Sequence, residues 1–489
     1  MIPMHKPKSK LRERTQLVFI YTLMIVAIVS MLTVLVLVIQ GYRYNRFDGR
    51  IEQGGLVQFN SRPAGASVSV DDIQLANRTA SKITLTAGEH TVKFTRDNFM
   101  SWEKTATVKP GGVLWLNYAL LFPTTPKVTK AATFDQVSSA VTAPNRNWMA
   151  VVAGPTIPTV HLVRLDSDTP TATDVPIAPD HFTAPVDPAT QRFVVESWDK
   201  DSESVIVRHD YDGKREYLAV DLRGGGDIYN ITTQLGVDIA QVSYSRGDSN
   251  VLYLLTANKE LRRATLSSSS LSGPLATNVS GFSAADERAI AYETYADATG
   301  KRTVGYVSAG VNSSKVIASY ELSNDVVLRA RIGMYYGDRF LVVARGSNLD
   351  ILKGDLPQSD SNTTLALETV DRLTLPASGS ILGFSPGDNR MIYAQDGATI
   401  TTYDLELGMR STITLPAASL RSVDWLDGFN VAATAGGTAQ YYDYDGTNMR
   451  TITTSALDLP VALSSNDKFM YYFTQGQDDV AFARVQMTE

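Results

Sequence analysis

Hydrophobic and polar positions follow two different patterns along this chain. From Leu17 to Ile39, twenty-three residues (LVFIYTLMIVAIVSMLTVLVLVI) pass without a charge, a Pro or a Gly. About twenty apolar residues rising 1.5 Å each cross the roughly 30 Å hydrocarbon layer, so the run predicts one membrane-spanning helix. A buried core helix would usually be shorter and amphipathic. Beyond Gln53 the apolar residues come in short alternating runs punctuated by Pro, Gly, Asp and Asn, which predicts antiparallel strands and turns. The class expected is an all-β ectodomain on a single N-terminal transmembrane helix.

Residues 53–122 form the first β stretch. Leu56-Val57-Gln58-Phe59 and Ser67-Val68-Ser69-Val70 flank the turn at Ser61-Arg62-Pro63-Ala64-Gly65-Ala66. Further strands are expected at Lys82 to Leu85, Gly88 to Phe94, Lys104 to Val108 and Val113 to Leu120. The pattern Ser61-x-Pro63-x-Gly65-Ala66, Val68-x-Val70-Asp71, Leu85-x-x-Gly88-x-His90-x-Val92 and Asn98-Phe99 resembles the PEGA domain, a small β-sandwich-like module of bacterial and archaeal surface proteins. Ala64 stands where that family carries its Glu, and Asp72 with Asn77-Arg78-Thr79-Ala80 replaces its Asp-Gly and Gly-x-Thr-Pro. The resemblance implies extracytoplasmic spacing or surface binding, with cell-wall polymers as one class of ligand and no catalytic residues. His90, alone on a strand, reads as a packed structural residue. Trp102 and Trp115 fit either core positions or sugar-stacking platforms, core being the commoner fate of a lone strand Trp.

Two prolines, Pro123 and Pro126, make 123–126 a stiff joint. From 127 to 489 a weak repeat appears: a polar turn, an apolar strand, a short gap, a second apolar strand. The clearest copy is Phe384-Ser385-Pro386-Gly387-Asp388-Asn389-Arg390, followed by Met391 to Ala394 and Ala398 to Asp404. Anchored at Pro144, Pro188, Gly247, Ala285, Gly337, Pro386, Asp427 and Ser465, the intervals are 44, 59, 38, 52, 49, 41 and 38 residues. Their mean of about 46 matches a four-stranded propeller blade. A β-propeller is therefore expected, eight blades favoured over seven, with the strand in Lys127 to Phe134 closing the last blade and removing an open edge. The Ser385-Pro386-Gly387-Asp388 turn resembles the Ser-Pro-Asp-Gly repeats of TolB-like and WD40-like bacterial propellers, with Gly and Asp transposed. That resemblance implies a fold, and protein binding where blade-top loops converge.

Charge places these parts. Lys6, Lys8, Lys10, Arg12 and Arg14 precede the helix against Glu13, whereas Arg43, Arg46 and Arg50 follow it with Asp48. The positive-inside bias puts a basic tail, 1–16, in the cytoplasm and the body outside. A cleavable signal peptide would have a shorter apolar region and a small-x-small site, which Gln40-Gly41-Tyr42-Arg43 does not supply. Hence 17–39 reads as a signal anchor and 40–52 as a juxtamembrane linker. Subtracting the eight basic and two acidic residues of 1–50 from 45 and 51 leaves 37 basic and 49 acidic residues, twelve negative charges in excess. Nucleic acid is thereby an unlikely partner. Zero Cys excludes disulfides, thiol catalysis and Cys-ligated metals.

No cofactor, metal or catalytic residue emerges, and the binding residues stay unknown. Asp199-Lys200-Asp201-Ser202-Glu203, Asp210-Tyr211-Asp212-Gly213 and Asp443-Tyr444-Asp445-Gly446-Thr447-Asn448 lack the ligand spacing of a calcium loop and read as turns. Gly224-Gly225-Gly226-Asp227 lacks the Lys-Ser/Thr of a phosphate loop and reads as a hairpin loop. His161, His181 and His209 have no zinc-protease spacing. The expected role is a non-catalytic envelope scaffold or adaptor that spans the cell membrane once and binds an envelope protein or cell-wall polymer. The alternative is an extracytoplasmic propeller enzyme acting on glycan or peptide, which needs acids or a nucleophile converging at one channel mouth; the pair Asp199 and Asp201 could in principle serve glycoside cleavage.

Overall fold

The computed structural model describes residues 10–39, 42–45, 50–223, 227–417 and 421–488. It divides the chain into two compact units, Met1–Thr124 and Thr125–Glu489.

In the first unit a single helix, Lys10–Ile39, begins seven residues ahead of Leu17, so part of the basic segment continues the helix. Residues 14–39 are long and apolar enough to cross a membrane, and their apolar side chains stand exposed. The polar residues Thr22 and Thr33 return their hydroxyls to the carbonyls of Val18 and Val29 at 2.9 and 2.8 Å. These two hydroxyls are thereby satisfied within the helix.

Two four-stranded sheets follow. In one, the long strand Arg50–Arg62 pairs antiparallel with Tyr42–Asn45 and Ser81–Thr86 and parallel with Val113–Leu120. The other runs Ile73–Arg78, Ser67–Val70, Gly88–Thr95, Trp102–Val108. Pairing thus starts at Tyr42, inside the stretch expected to be a linker, where Tyr42-Arg43-Tyr44 alternates like a strand. The remainder of that stretch, 40–41 and 46–49, lies outside the described residues. Phe59 and Tyr118 from one sheet meet Phe94 and Trp102 from the other edge-on, with ring centroids 5.9 and 5.8 Å apart.

The second unit holds eight four-stranded antiparallel sheets among the described residues. Seven are consecutive in sequence, from Ser139–Thr142 as the first strand of the first to Arg450–Thr453 as the last strand of the seventh. The eighth takes Ala462–Leu463, Phe469–Gln475 and Val480–Gln486 and completes itself with Val128–Phe134. Joining both ends of the unit in one sheet removes the open edges a linear array would expose. Apolar side chains interleave between neighbours around the ring: Phe193 and Val205 pack on Ala150 and Val160, Leu341 on Ala289, Val431 on Ile400. Phe482 and Tyr471 of the eighth sheet pack on Val151 and Val163 of the first. The architecture is a closed β-propeller. First strands of four sheets line one common cavity, which sets them inward, whereas fourth strands such as Ser314–Glu321 and Ala366–Thr374 hold no buried residue.

One anchor of the sequence repeat is out of register. In most units the repeat turn joins the first and second strands of a sheet, but Asp187-Pro188 precedes the first strand, Arg192–Trp198. The equivalent turn in that sheet is Asp199 to Glu203. With Lys200 as anchor, the intervals 44 and 59 become 56 and 47. The longer one holds the two short helical turns Pro179–His181 and Pro188–Thr190.

Candidate functional site

Turns between the first and second strands meet at one end of the channel. Arg146 of the first reaches the Leu426 carbonyl at 2.9 Å and Asp467 at 3.4 Å, in the seventh and eighth. Asn389 of the sixth donates to the Met334 carbonyl at the fifth, 3.1 Å away.

The polar residues that mark these turns serve the turns themselves. Asp199 Oδ1 accepts from the amides of Glu203 and Ser204 at 2.8 and 3.0 Å. Asp286 Oδ1 accepts from Arg288 and Ala289 at 2.8 and 2.9 Å, and Asp427 Oδ1 from Phe429 and Asn430 at 2.8 and 2.7 Å. Asp388, Asp248, Asn145 and Asn466 each take the amide two residues on. Ser385 and Ser464, both fully buried, accept from Met391 and Phe469. Short polar side chains next to Gly or Pro close such turns by bonding nearby amides, which explains the recurrent composition.

At this mouth lies an open cavity of about 310 Å³, lined by the first strands of the second to fifth sheets and four of the turns. Lys200, Arg246 and Arg331 line it with the single carboxylate Asp199. Arg331 donates from Nε to the Leu382 carbonyl at 3.0 Å and from Nη1 to the Ala330 carbonyl at 2.8 Å. Burial pushes its pKa down, with Glu293 opposing. Glu293, almost wholly buried, has its own pKa raised by burial against the pull of Arg331 and Arg329, and lies 3.5 Å from Arg329 Nη1. A cavity of about 260 Å³ lies between the seventh, eighth and first sheets, where Asp424 is held by Arg421 and by the Val461 amide.

An outer cavity of about 480 Å³ shares Asp199, Lys200 and Tyr244 with the channel cavity and adds Asp201, Glu203, Asp221, Asp227 and Asp248. Its acids are largely engaged: Arg223 bonds Asp221 and Glu203, and Asp201 pairs with Lys200 and Ser249. The arginine holds Asp221 below the usual carboxylate range.

The histidines lie apart. His209 is sealed from solvent, stacked on Phe193 at 4.3 Å and Tyr211 at 4.9 Å, with Nδ1 2.8 Å from Glu216. His161 meets Asp174 and His181 lies near Asp180. Among the described residues no three His, Asp or Glu are grouped to hold a metal ion. Asp212-Gly213 turns a hairpin with positive φ at both residues, and Asp212 also accepts from Val186, Asp187 and Thr190. Asp443 is buried in its turn, bonded by Tyr441 and Asn448. Gly224 to Gly226 lie outside the described residues.

In the first unit the motif residues form one knot. Thr79 Oγ1 accepts from the amides of Gly65 and Ala66 at 3.0 Å and lies 2.7 Å from Ser61 Oγ, so the turn and a distant strand end are tied through one hydroxyl. Asp71 takes the Thr91 amide and His90 Nδ1, the latter at 2.6 Å. Residues 55–121 match the PEGA domain. His90 of the PEGA domain is structural: its other ring nitrogen sits 2.9 Å from the Thr86 carbonyl, and the His90 bond holds Asp71 below the usual carboxylate range. The two tryptophans separate. Trp102 is core, stacked on Phe94, whereas Trp115 is 39 % exposed on the outer sheet face beside a cavity lined by Gln58, Asn60, Lys82 and Asn117.

No curated protein matches the chain in sequence. Solved structures similar to it include the β-propeller domain of Cps50 (Swd1) from Myceliophteria thermophila, 8% identical, covering 73% of this chain and 99% of that one with a TM-score of 0.43. The computationally designed protein Ika8 is 12% identical over 73% of this chain and 99% of its own, with a TM-score of 0.44. An oligogalacturonate lyase in complex with manganese is 12% identical over 68% and 97%, with a TM-score of 0.38.

Sequence reasoning missed Arg331, Arg246 and Ser197 of the channel cavity. A signal was present: Arg329 with Arg331 and Gln241 with Ser243 place polar residues two apart in first strands, so they share one side of the strand.

Proposed function

We propose that this chain is a membrane-anchored recognition protein of the cell envelope. Its N-terminus faces the cytoplasm, and its PEGA domain and propeller bind a surface protein or wall polymer outside, without chemical turnover. The orientation draws support from the five cations before the helix against three after it, and the outside placement from the PEGA match. The observation that carries the non-catalytic reading is the fate of the acids gathered at the channel mouth. Glycoside cleavage needs two carboxyl groups facing each other across a gap, about 5–5.5 Å or 6.5–9.5 Å, open to substrate. Here Asp199, Asp286 and Asp427 bond the amides of their own turns. What the mouth offers instead is a wide rim of backbone turns and a cationic cavity, suited to recognition.

The test is a pull-down with the full chain, solubilised in nonionic detergent, against envelope extract and isolated wall polymer. Selective retention of one component is expected. Retention of neither overturns the proposal, as would release of new reducing ends or amino termini from the polymer.

A further inference from the structure

The channel cavity has a charge opposite to that of the body around it. The exported residues carry twelve excess negative charges, 49 acidic against 37 basic. Yet the cavity is lined by three cations and one carboxylate, and Asp199 Oδ1 is already occupied by two amides. Lys200 is partly neutralised by Asp201, 3.0 Å away, and the buried Glu293 is shared between Arg329 and Arg331. Arg246, and Arg331 in part, remain as the surplus. Arg246 is exposed on the rim and makes no hydrogen bond or ion pair with any described residue. Arg331 is fixed by two backbone carbonyls through Nε and Nη1, leaving Nη2 without an acceptor among the described residues.

A planar guanidinium already held in place by backbone acceptors loses little freedom when it takes an oxyanion. Low-dielectric walls around a channel strengthen its pull. The remaining lining is rich in groups that bond hydroxyls: Gln241, Ser243, and Ser197, whose buried Oγ has no hydrogen-bond partner. A buried hydroxyl left without a partner is costly unless something meets it. At about 310 Å³ the cavity lies at the small end of ligand sites, which run from about 300 Å³ upward.

We propose that this cavity binds an oxyanion, a carboxylate or a phosphate, carried on a polyhydroxylated body of monosaccharide size. Arg331 takes the oxyanion from within the channel and Arg246 from the rim, while Ser197, Ser243 and Gln241 bond the hydroxyls. This names the ligand chemistry of the propeller and rests on its reading as a recognition module.

The experiment is calorimetric titration of the full chain in nonionic micelles with glucuronate, glucose 6-phosphate, inorganic phosphate and glucose. At least one sugar anion is expected to bind ten-fold or more tightly than glucose, with affinity falling as salt is added; which one binds identifies carboxylate or phosphate. Arg246→Ala, an exposed change that leaves the fold alone, and Arg331→Met should each weaken it at least ten-fold. Equal binding of glucose, no binding of either sugar anion, or an unaffected Arg246→Ala variant overturns the site. Inorganic phosphate binding as tightly as the sugar anions overturns the polyhydroxylated body. Loss of anion binding with the envelope pull-down intact refutes this site alone; a failed pull-down with anion binding intact refutes the wider function alone.

Discussion

Arg390 ends the clearest repeat turn and its side chain returns into the sixth sheet, giving a sharp test of how the turns are held. Nε and Nη2 donate to the two oxygens of Asp404 at 3.0 and 2.8 Å, and Nη1 approaches Glu406 at 2.5 Å. The guanidinium lies 5.3 Å over the Phe429 ring. The side chains of Arg390 and Asp404 are 6% and 0% exposed. Burial works to lower the Arg390 pKa, but the bond and charge of Asp404 more than offset it, so the guanidinium stays charged. Asp404 also takes the amides of Glu406 and Leu407, at 2.9 and 3.2 Å. Asp404→Ala leaves a buried cation with only Glu406 beside it, and breaking such a pair costs about 3–5 kcal/mol. Two amides lose their acceptor as well, about 1 kcal/mol each where water does not replace it. Arg390→Met keeps the stem packed and leaves Asp404 its amides, so it should cost less. In the double variant neither charge remains, and the total should fall short of the sum of the singles by about 2 kcal/mol or more. Denaturant unfolding of the full chain in micelles, read by tryptophan fluorescence, measures all three. Additive single costs, or a cost below about 1 kcal/mol for Asp404→Ala, would refute the claim that this turn is fixed by a buried charge pair.

Trp102→Ala removes a ring stacked on Phe94 and edge-on to Tyr118 of the facing PEGA sheet and should destabilise that domain by about 3–5 kcal/mol, whereas Trp115→Ala should stay within about 0.5 kcal/mol; thermal unfolding that gave equal shifts would contradict the packing described. Burial alone would raise the Glu216 pKa, but bonds from His209, Asn230 and Thr183 outweigh it and hold it below its ordinary 4.5. A depressed folded pKa adds stability that is full above about pH 4.5 and lost as pH falls through the folded value. Propeller stability should therefore drop more steeply on acidification in the native chain than in Glu216→Gln, and parallel pH profiles would sink the assignment. Val26→Lys places a charge near the middle of the apolar helix, at a cost to insertion of about 2.5–3.5 kcal/mol. The fraction resisting alkaline carbonate extraction should fall, and an unchanged fraction would speak against a spanning helix.

What could be read from the sequence depended on how local each signal was. The helix was plain because one unbroken run carries all of its evidence. The strand at Val128 to Phe134 was legible as the ring's closing piece because the last unit lacked a fourth strand, a deficit visible by counting. The two tryptophans were decidable and went undecided. Leu114, Leu116 and Tyr118 alternate with Val113, Trp115 and Asn117, and the period of two puts Trp115 opposite the core. The misplaced anchor at Pro188 has a different cause. Asp187-Pro188 and Asp199-Lys200-Asp201 carry similar turn signals, and only burial distinguishes them: Asp199 is 2% exposed, closing a turn between two strands, while Asp187 caps an exposed helical turn outside the sheet. The same ambiguity kept an enzyme in play, since an acid that bonds its own backbone and one poised for proton transfer are spelled alike. The channel cavity was beyond reach for a topological reason. Its cations come from Lys200, Arg246 and Arg331, on three different sheets, and meet only because the ring brings turns and first strands of non-adjacent sheets to one mouth. In a propeller the sequence can announce each blade, but a ligand site is a property of the closed circle.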